Sequence, residues 1–255
     1  MLPILMQWLL NSYGHQTALR TWALALFVCT APLIYFVKPR LPFSDASWAK
    51  RFDLSFVWNK VFIVYQICNT MEALGFFLPQ TYLPSYARIL GANNVNAALT
   101  LVLVNVASVF GCIVMGTLTD HYHVTTCILI CTMGAVLGTF LIWGFSTTIG
   151  PLYVFCIVYG LFAGSFSSTW PGVVRETQKQ KRSAHLGMVF GFLAAGRGIG
   201  NVASGPLSEA LLAGNPWRNS TDFAYGTGYG PLIVFTGITA LLGGLSIVAR
   251  PLKMV

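Results

Sequence analysis

Charge is scarce in this chain: Asp, Glu, Lys and Arg together make up 9% of its 255 residues. A soluble domain carries roughly a quarter, so a water-exposed globule is excluded. Acidic residues are scarcest, seven against fifteen Lys and Arg, for a net charge of +8. That excess does not point to nucleic acid, because patches that track phosphates need exposed basic surface interleaved with aromatics, and here the basic residues sit between apolar runs. Cysteine offers no framework either. Cys29, Cys68, Cys112, Cys127, Cys131 and Cys156 all lie inside apolar runs without disulfide or zinc spacing, so they read as packing residues. Reactive signatures are missing as well: the sequence holds no G-x-S-x-G, H-E-x-x-H or G-x-x-x-x-G-K-[ST], and the reading is of a chain that is not an enzyme and carries no cofactor. His121 and His123 stand close together, but no third ligand lies near them, which leaves no metal site.

What the chain has is apolar length, with 55% of its residues hydrophobic. A bilayer core of about 30 Å takes about 20 apolar residues as helix. Such runs fall at 21–37, 55–78, 97–117, 124–145, 149–173, 185–212 and 231–249, and they predict an all-α integral membrane protein. The opening MLPILMQWLL reaches only about half of the bilayer, and it lacks the basic start and the cleavage site of a signal peptide. Pro79 and Pro84 are expected to close the second span, while Pro151 and Pro231 open the fifth and the seventh. Trp22, Trp58, Tyr82, Trp143, Tyr153 and Trp170 fall near span ends, where amphipathic rings favour the headgroups.

Basic residues orient the spans. Lys38, Arg40, Lys50, Arg51, Arg175, Lys179, Lys181, Arg182, Arg250 and Lys253 lie on one side, and Arg20, Arg88 and Arg218 on the other. The first group, and with it the C-terminus, is expected in the cytoplasm. The sequon Asn219-Ser220-Thr221 then falls outside. Only Lys60 and Arg197 remain inside spans.

The stretch GMVFGFLAAGRGIGNVASGPLSE (187–209) holds Gly198, Gly200 and Ala203 at dinucleotide-fingerprint spacing. That motif needs a preceding strand in a soluble sheet, and none is predicted. The small residues instead form two rows at every fourth position: Gly187, Gly191 and Ala195, then Gly196, Gly200 and Ser204. Such rows bring helices close together in lipid. Arg197 between them lies about 18 Å into its span, where a charge costs on the order of 3 kcal/mol unless something compensates it. Two compensations are open: a neighbouring helix, which makes Arg197 a structural tie, or an anionic ligand.

The second span supplies the counter-charge. Tyr65, Gln66, Asn69, Thr70 and Glu72 share one half of its helical wheel, and Glu72 is the only acidic residue well inside any span. Glu72 is expected to pair with Arg197 or to titrate with substrate. Asn105, Ser108 and Cys112 make a second interior-facing stripe on the third span. Gly116 and Asp120 end that span, with Asp120 placed to cap a neighbouring helix N-terminus.

Gly116 and Asp120 between two helices resemble the loop motif of the major facilitator superfamily. NVASVFGCIVMGTLTDHYH (105–123) is similar to the eighth-helix region of fungal monocarboxylate-transporter-like proteins in it, and YGLFAGSFSSTWPGVV (159–174) to their tenth helix. WLLNSYGHQTALRTWAL (8–24) and YFVKPRLP (35–42) resemble the end of the fifth helix and the sixth running into the central loop. The resemblance implies a remnant of the N-terminal half over 1–37, a cytoplasmic central loop over 38–54 and a C-terminal six-helix bundle of two inverted three-helix repeats over 55–255. It implies that the first four helices are absent, the chain being truncated at its N-terminus. It also implies a proton-coupled carrier of small organic anions such as monocarboxylates in the plasma or vacuolar membrane. Its partners would be the bilayer, the anion, the proton and the missing N-terminal half. Family members commonly carry an arginine where this chain has Cys112, which leaves Arg197 as the anion-binding candidate and Glu72 as the proton site. A membrane-embedded remnant that only binds other helices is the alternative.

Overall fold

The computed structural model describes residues 2–36, 54–181, 184–214, 217–218 and 220–249. Most of the 38–54 connection, Asn219 of the sequon, and Lys38, Arg40, Lys50, Arg51, Arg182, Arg250 and Lys253 lie outside the described residues. Every regular element among the described residues is helical, and seven helices are long and apolar enough to cross a membrane. The chain divides into two compact units, Met1–Asp53 and Leu54–Val255.

Among the described residues the first unit holds one helix, α1 (Leu2–Phe36), interrupted at Gly14, whose φ of 77° is open to glycine and strained for other residues. The membrane-length part runs Ser12–Phe36, so the span begins earlier than its hydropathy suggests.

The second unit is a six-span bundle. Its helices are α2 (Lys60–Ile89), α3 (Asn94–His121), α4 (Val124–Leu137), α5 (Ile149–Phe162), α6 (Trp170–Gln180), α7 (Leu186–Leu212) and α8 (Gly230–Gly243). A π-helical turn, Gly138–Trp143, extends α4, and a tight turn at Phe166–Thr169 joins α5 to α6 into one span. Asn59 starts α2 by accepting the Val61 N–H at 2.9 Å, an N-cap of the usual kind. Lys60 is therefore an exposed residue at the mouth of the helix and not an intramembrane charge. Pro79 and Pro84 do not close α2, which runs on to Ile89 with both inside. Proline is tolerated within membrane helices where neighbouring helices re-satisfy the backbone. Trp143 is fully buried and stacked on Phe155 at 5.0 Å, a core residue and not a headgroup anchor.

Two parallel crossings are the most extensive contacts in the bundle. The first joins α2 to α7, where contacts climb together from Gln66 with Phe192 to Tyr82 with Ser208. The second joins α3 to α5 and climbs from Asn96 with Tyr153 to Cys112 with Gly164. In each, a span of the first three, α2 to α4, meets a span of the last three. Glycine makes both possible. A Cβ on Gly111 would strike the backbone carbonyl of Leu161, and one on Gly160 that of Val104. Gly111→Ala is accordingly expected to destabilise by about 1–3 kcal/mol. Gly116→Ala, on the same helix with open space around it, should be neutral or stabilising by up to about 1 kcal/mol. Thermal unfolding of the two variants in detergent checks the contrast.

Candidate functional site

The site grows out of the α2–α7 crossing. Burial on α7 follows one stripe, Val189, Leu193, Gly196, Gly200, Ser204 and Ser208, at helical spacing. The first small-residue row is open instead: a Cβ on Gly187 or Gly191 would meet nothing within 4 Å. The second row lies against α2, where Gly196 abuts the Gln66 amide and Gly200 abuts Ala73 and the Thr70 carbonyl. In lipid such close packing and interhelical hydrogen bonds replace hydrophobic burial as the force that joins helices.

The approach brings a polar ladder into register. Gln66 donates its amide N–H to the Phe192 carbonyl at 2.8 Å, and Asn69 donates to the Leu193 carbonyl at 2.8 Å. The Asn69 carbonyl oxygen in turn accepts from the indole Nε1 of Trp170 at 3.2 Å. One turn further, Arg197 Nη1 meets Glu72 Oε2 at 2.6 Å, with side chains 12% and 7% exposed. So buried a pair is stable only while both partners are present, since each alone would be an uncompensated charge in low dielectric. The guanidinium also lies over the Phe76 ring, 4.3 Å from its centroid, with Phe166 at 6.0 Å. An aromatic face stabilises a desolvated cation by about 2 kcal/mol.

Among the described residues Arg197 has one hydrogen-bonded partner, held through Nη1. A guanidinium carries five N–H donors in a planar fork, so the remaining donors suit a second, planar anion such as a carboxylate.

The other sequence-selected residues divide. Tyr65 is buried in the cluster that holds Phe62, Met115 and Leu193, and Asn69 and Gln66 serve the crossing as well as the polar face. Asn105 is exposed, not interior, and its amide bonds back to Leu101 at 2.7 Å; Ser108 bonds back to Val104 at 2.7 Å. A helical wheel separates two faces but does not say which of them the bundle covers. Gly116 has open space around it. Among the described residues Asp120 caps no helix: the cap of α4 is His123, which accepts the Thr125 N–H. The Asp120 carboxylate pairs with Arg175 Nη1 at 3.3 Å, and Arg175 also donates to the Thr119 carbonyl. Side chains on a helix lean toward its N-terminus, which turns Asp120 away from the helix that follows. Among the described residues no cluster of metal-ligating side chains occurs.

Phe76, Phe166 and Tyr159 escaped the sequence reading, and Trp170, expected at the headgroups, instead donates to Asn69 in the site. Phe76 had a signal, because it stands four residues after Glu72 on the same helical face. Trp170 and Phe166 come from another span, and only the fold brings them in.

The family model of the Major Facilitator Superfamily matches residues 1–205. An agnestins efflux protein of Paecilomyces divaricatus is 30% identical over 206 residues, 79% of this chain and 43% of that protein. An MFS-type transporter of an Ophiocordyceps species is 27% identical over 254 residues, 97% of this chain and 53% of that protein. Monocarboxylate transporter 4 of Gallus gallus is 26% identical over 164 residues, 63% of this chain and 35% of that protein. The chain thus spans about half the length of the first two relatives.

Proposed function

Because the chain belongs to the major facilitator superfamily and is a multi-pass integral membrane protein, we propose that it forms the anion-binding wall of a membrane carrier. Arg197 binds a small organic anion such as a monocarboxylate, and Glu72 holds the coupled proton. The observation that carries this reading is the buried Arg197–Glu72 pair, in which the guanidinium gives one nitrogen to the glutamate and keeps donors in reserve.

Charge balance supplies the mechanism. At rest the pair is neutral. An entering carboxylate takes the guanidinium, and Glu72, left without its cation inside the protein, takes a proton. The site is again neutral, now as arginine with the anion beside a protonated glutamate. Either species alone would leave an unpaired charge inside the membrane, which costs several kcal/mol. Anion and proton therefore travel together. The polar face of α2 and the stripe of Asn105 and Ser108 belong in this reading to the cavity wall. Residues 1–37 belong to the N-terminal half of a carrier, 38–54 to the loop between halves and 55–255 to the C-terminal half, with the C-terminus cytoplasmic.

The test is uptake of a labelled short-chain monocarboxylate into proteoliposomes that hold the chain together with the N-terminal half of a carrier, under an inward proton gradient. Arg197→Gln is expected to abolish uptake, and Glu72→Gln to abolish its acceleration by the gradient. Uptake that is undiminished in Arg197→Gln removes the assignment and favours the alternative, in which the pair only ties helices together.

A further inference from the structure

Hydroxyls on the membrane helices mostly bond back to a carbonyl one turn earlier, as Thr70 does to Gln66, Thr119 to Met115, Thr177 to Val173 and Thr239 to Phe235. Thr132 on α4 and Thr236 on α8 do not. They are 5% and 1% exposed, and neither hydroxyl oxygen has a hydrogen-bond partner among the described residues. A buried hydroxyl without a partner costs about 1–3 kcal/mol. Thr139 and Ser246 share the lack, but only Thr132 and Thr236 line one small internal cavity together with Glu72.

That cavity offers about 10 Å³ to the centre of a water molecule, the room that one water needs. Its other polar groups are committed elsewhere: Tyr159 donates to the Phe76 carbonyl at 3.1 Å, and Cys131 pairs with Ser165 at 3.8 Å. Three groups remain, the Glu72 carboxylate, whose Oε2 is held by Arg197, and two hydroxyls. A hard cation takes six or more oxygens, and the carboxylate is already neutralised by Arg197. A buried water makes about three hydrogen bonds, which is the number the wall supplies.

We propose that this cavity is a buried water site serving Glu72, one water bridging the carboxylate to Thr132 and Thr236. Arg197 does not line the cavity, so the water stays with Glu72 when the guanidinium turns to an anion. It solvates the carboxylate during the exchange and offers a position through which its proton passes. That role rests on Glu72 as the proton site; the water site itself does not.

A structure of the chain in lipid nanodiscs, at a resolution that shows ordered water, tests the site. The expected result is one water peak within hydrogen-bond distance of Glu72, Thr132 Oγ1 and Thr236 Oγ1. A cavity without density, or both hydroxyls turned onto helix carbonyls, overturns it. Infrared spectra add a second reading, with the Glu72 carboxylate band assigned by its loss in Glu72→Gln. Thr132→Val/Thr236→Val, which keeps shape and removes both hydroxyls, should displace that band; an unmoved band overturns the proposal. The groups facing Glu72, namely Arg197, Tyr159 and Cys131, are unchanged in the double variant. If Arg197→Gln leaves uptake intact while the water peak is present, the carrier reading fails and the water site stands.

Discussion

Arg197→Ala is expected to destabilise the bundle by about 3–5 kcal/mol, and Glu72→Ala by a similar amount, because each strands the other's charge in the interior. The double variant should recover most of that loss, since no charge then remains to be compensated. The non-additivity is the point. Two independent contacts would add within about 0.5 kcal/mol, whereas this pair is predicted to cost less when removed whole than when broken. Chemical denaturation of the four proteins in one detergent measures the cycle. Additive losses would mean that the 2.6 Å contact carries no energetic coupling. The cycle also explains why single variants must be scored for folding beside transport: Arg197→Gln and Glu72→Gln keep a hydrogen-bonding side chain, but each leaves its partner's charge unpaired as alanine does.

Gly200→Val should act nearly as strongly from three residues away. The added Cβ alone would lie 2.7 Å from the Ala73 Cβ and 2.8 Å from the Thr70 backbone oxygen. Neither can swing aside, so α2 and α7 must separate. Overpacking of this kind costs about 1–3 kcal/mol, occasionally more, and the separation moves Arg197 away from Glu72. Anion binding should fall with stability. Gly198→Ala, with nothing within 4 Å of the added carbon, is expected to be neutral or to stabilise by up to about 1 kcal/mol. Equal thermal stability of Gly200→Val and Gly198→Ala would contradict the close crossing. Gly196 falls between them, because its added carbon meets the side chains of Gln66 and Thr70 and not backbone, at the cost of the Gln66 bond to Phe192.

The spans were legible because lipid imposes a single demand, some 20 apolar residues in a row, and the chain meets it seven times. The Arg197–Glu72 contact was legible for the same reason: so few charges lie inside the spans that a buried arginine has one plausible acidic partner. Elsewhere local rules were overridden by neighbours. Pro79 and Pro84 end helices in water, yet here α2 continues through them. Trp143 resembled an interfacial anchor and proved to be core. Asn105 lay on a polar stripe, but the bundle covers the other side of its helix. The aromatic cradle of Phe76 and Phe166 and the hydroxyls of Thr132 and Thr236 depend on three or four spans meeting, which no single helical wheel can display.

The most direct measurement is equilibrium binding of a labelled short-chain monocarboxylate to the purified chain in nanodiscs, with protons taken from a weakly buffered medium recorded in parallel. The wild-type chain should bind saturably and take up about one proton per anion, the condition for a neutral buried site. Arg197→Gln should show neither. Saturable binding that persists in Arg197→Gln, or binding with no proton uptake by the wild-type chain, would contradict the exchange of Glu72 for substrate on Arg197.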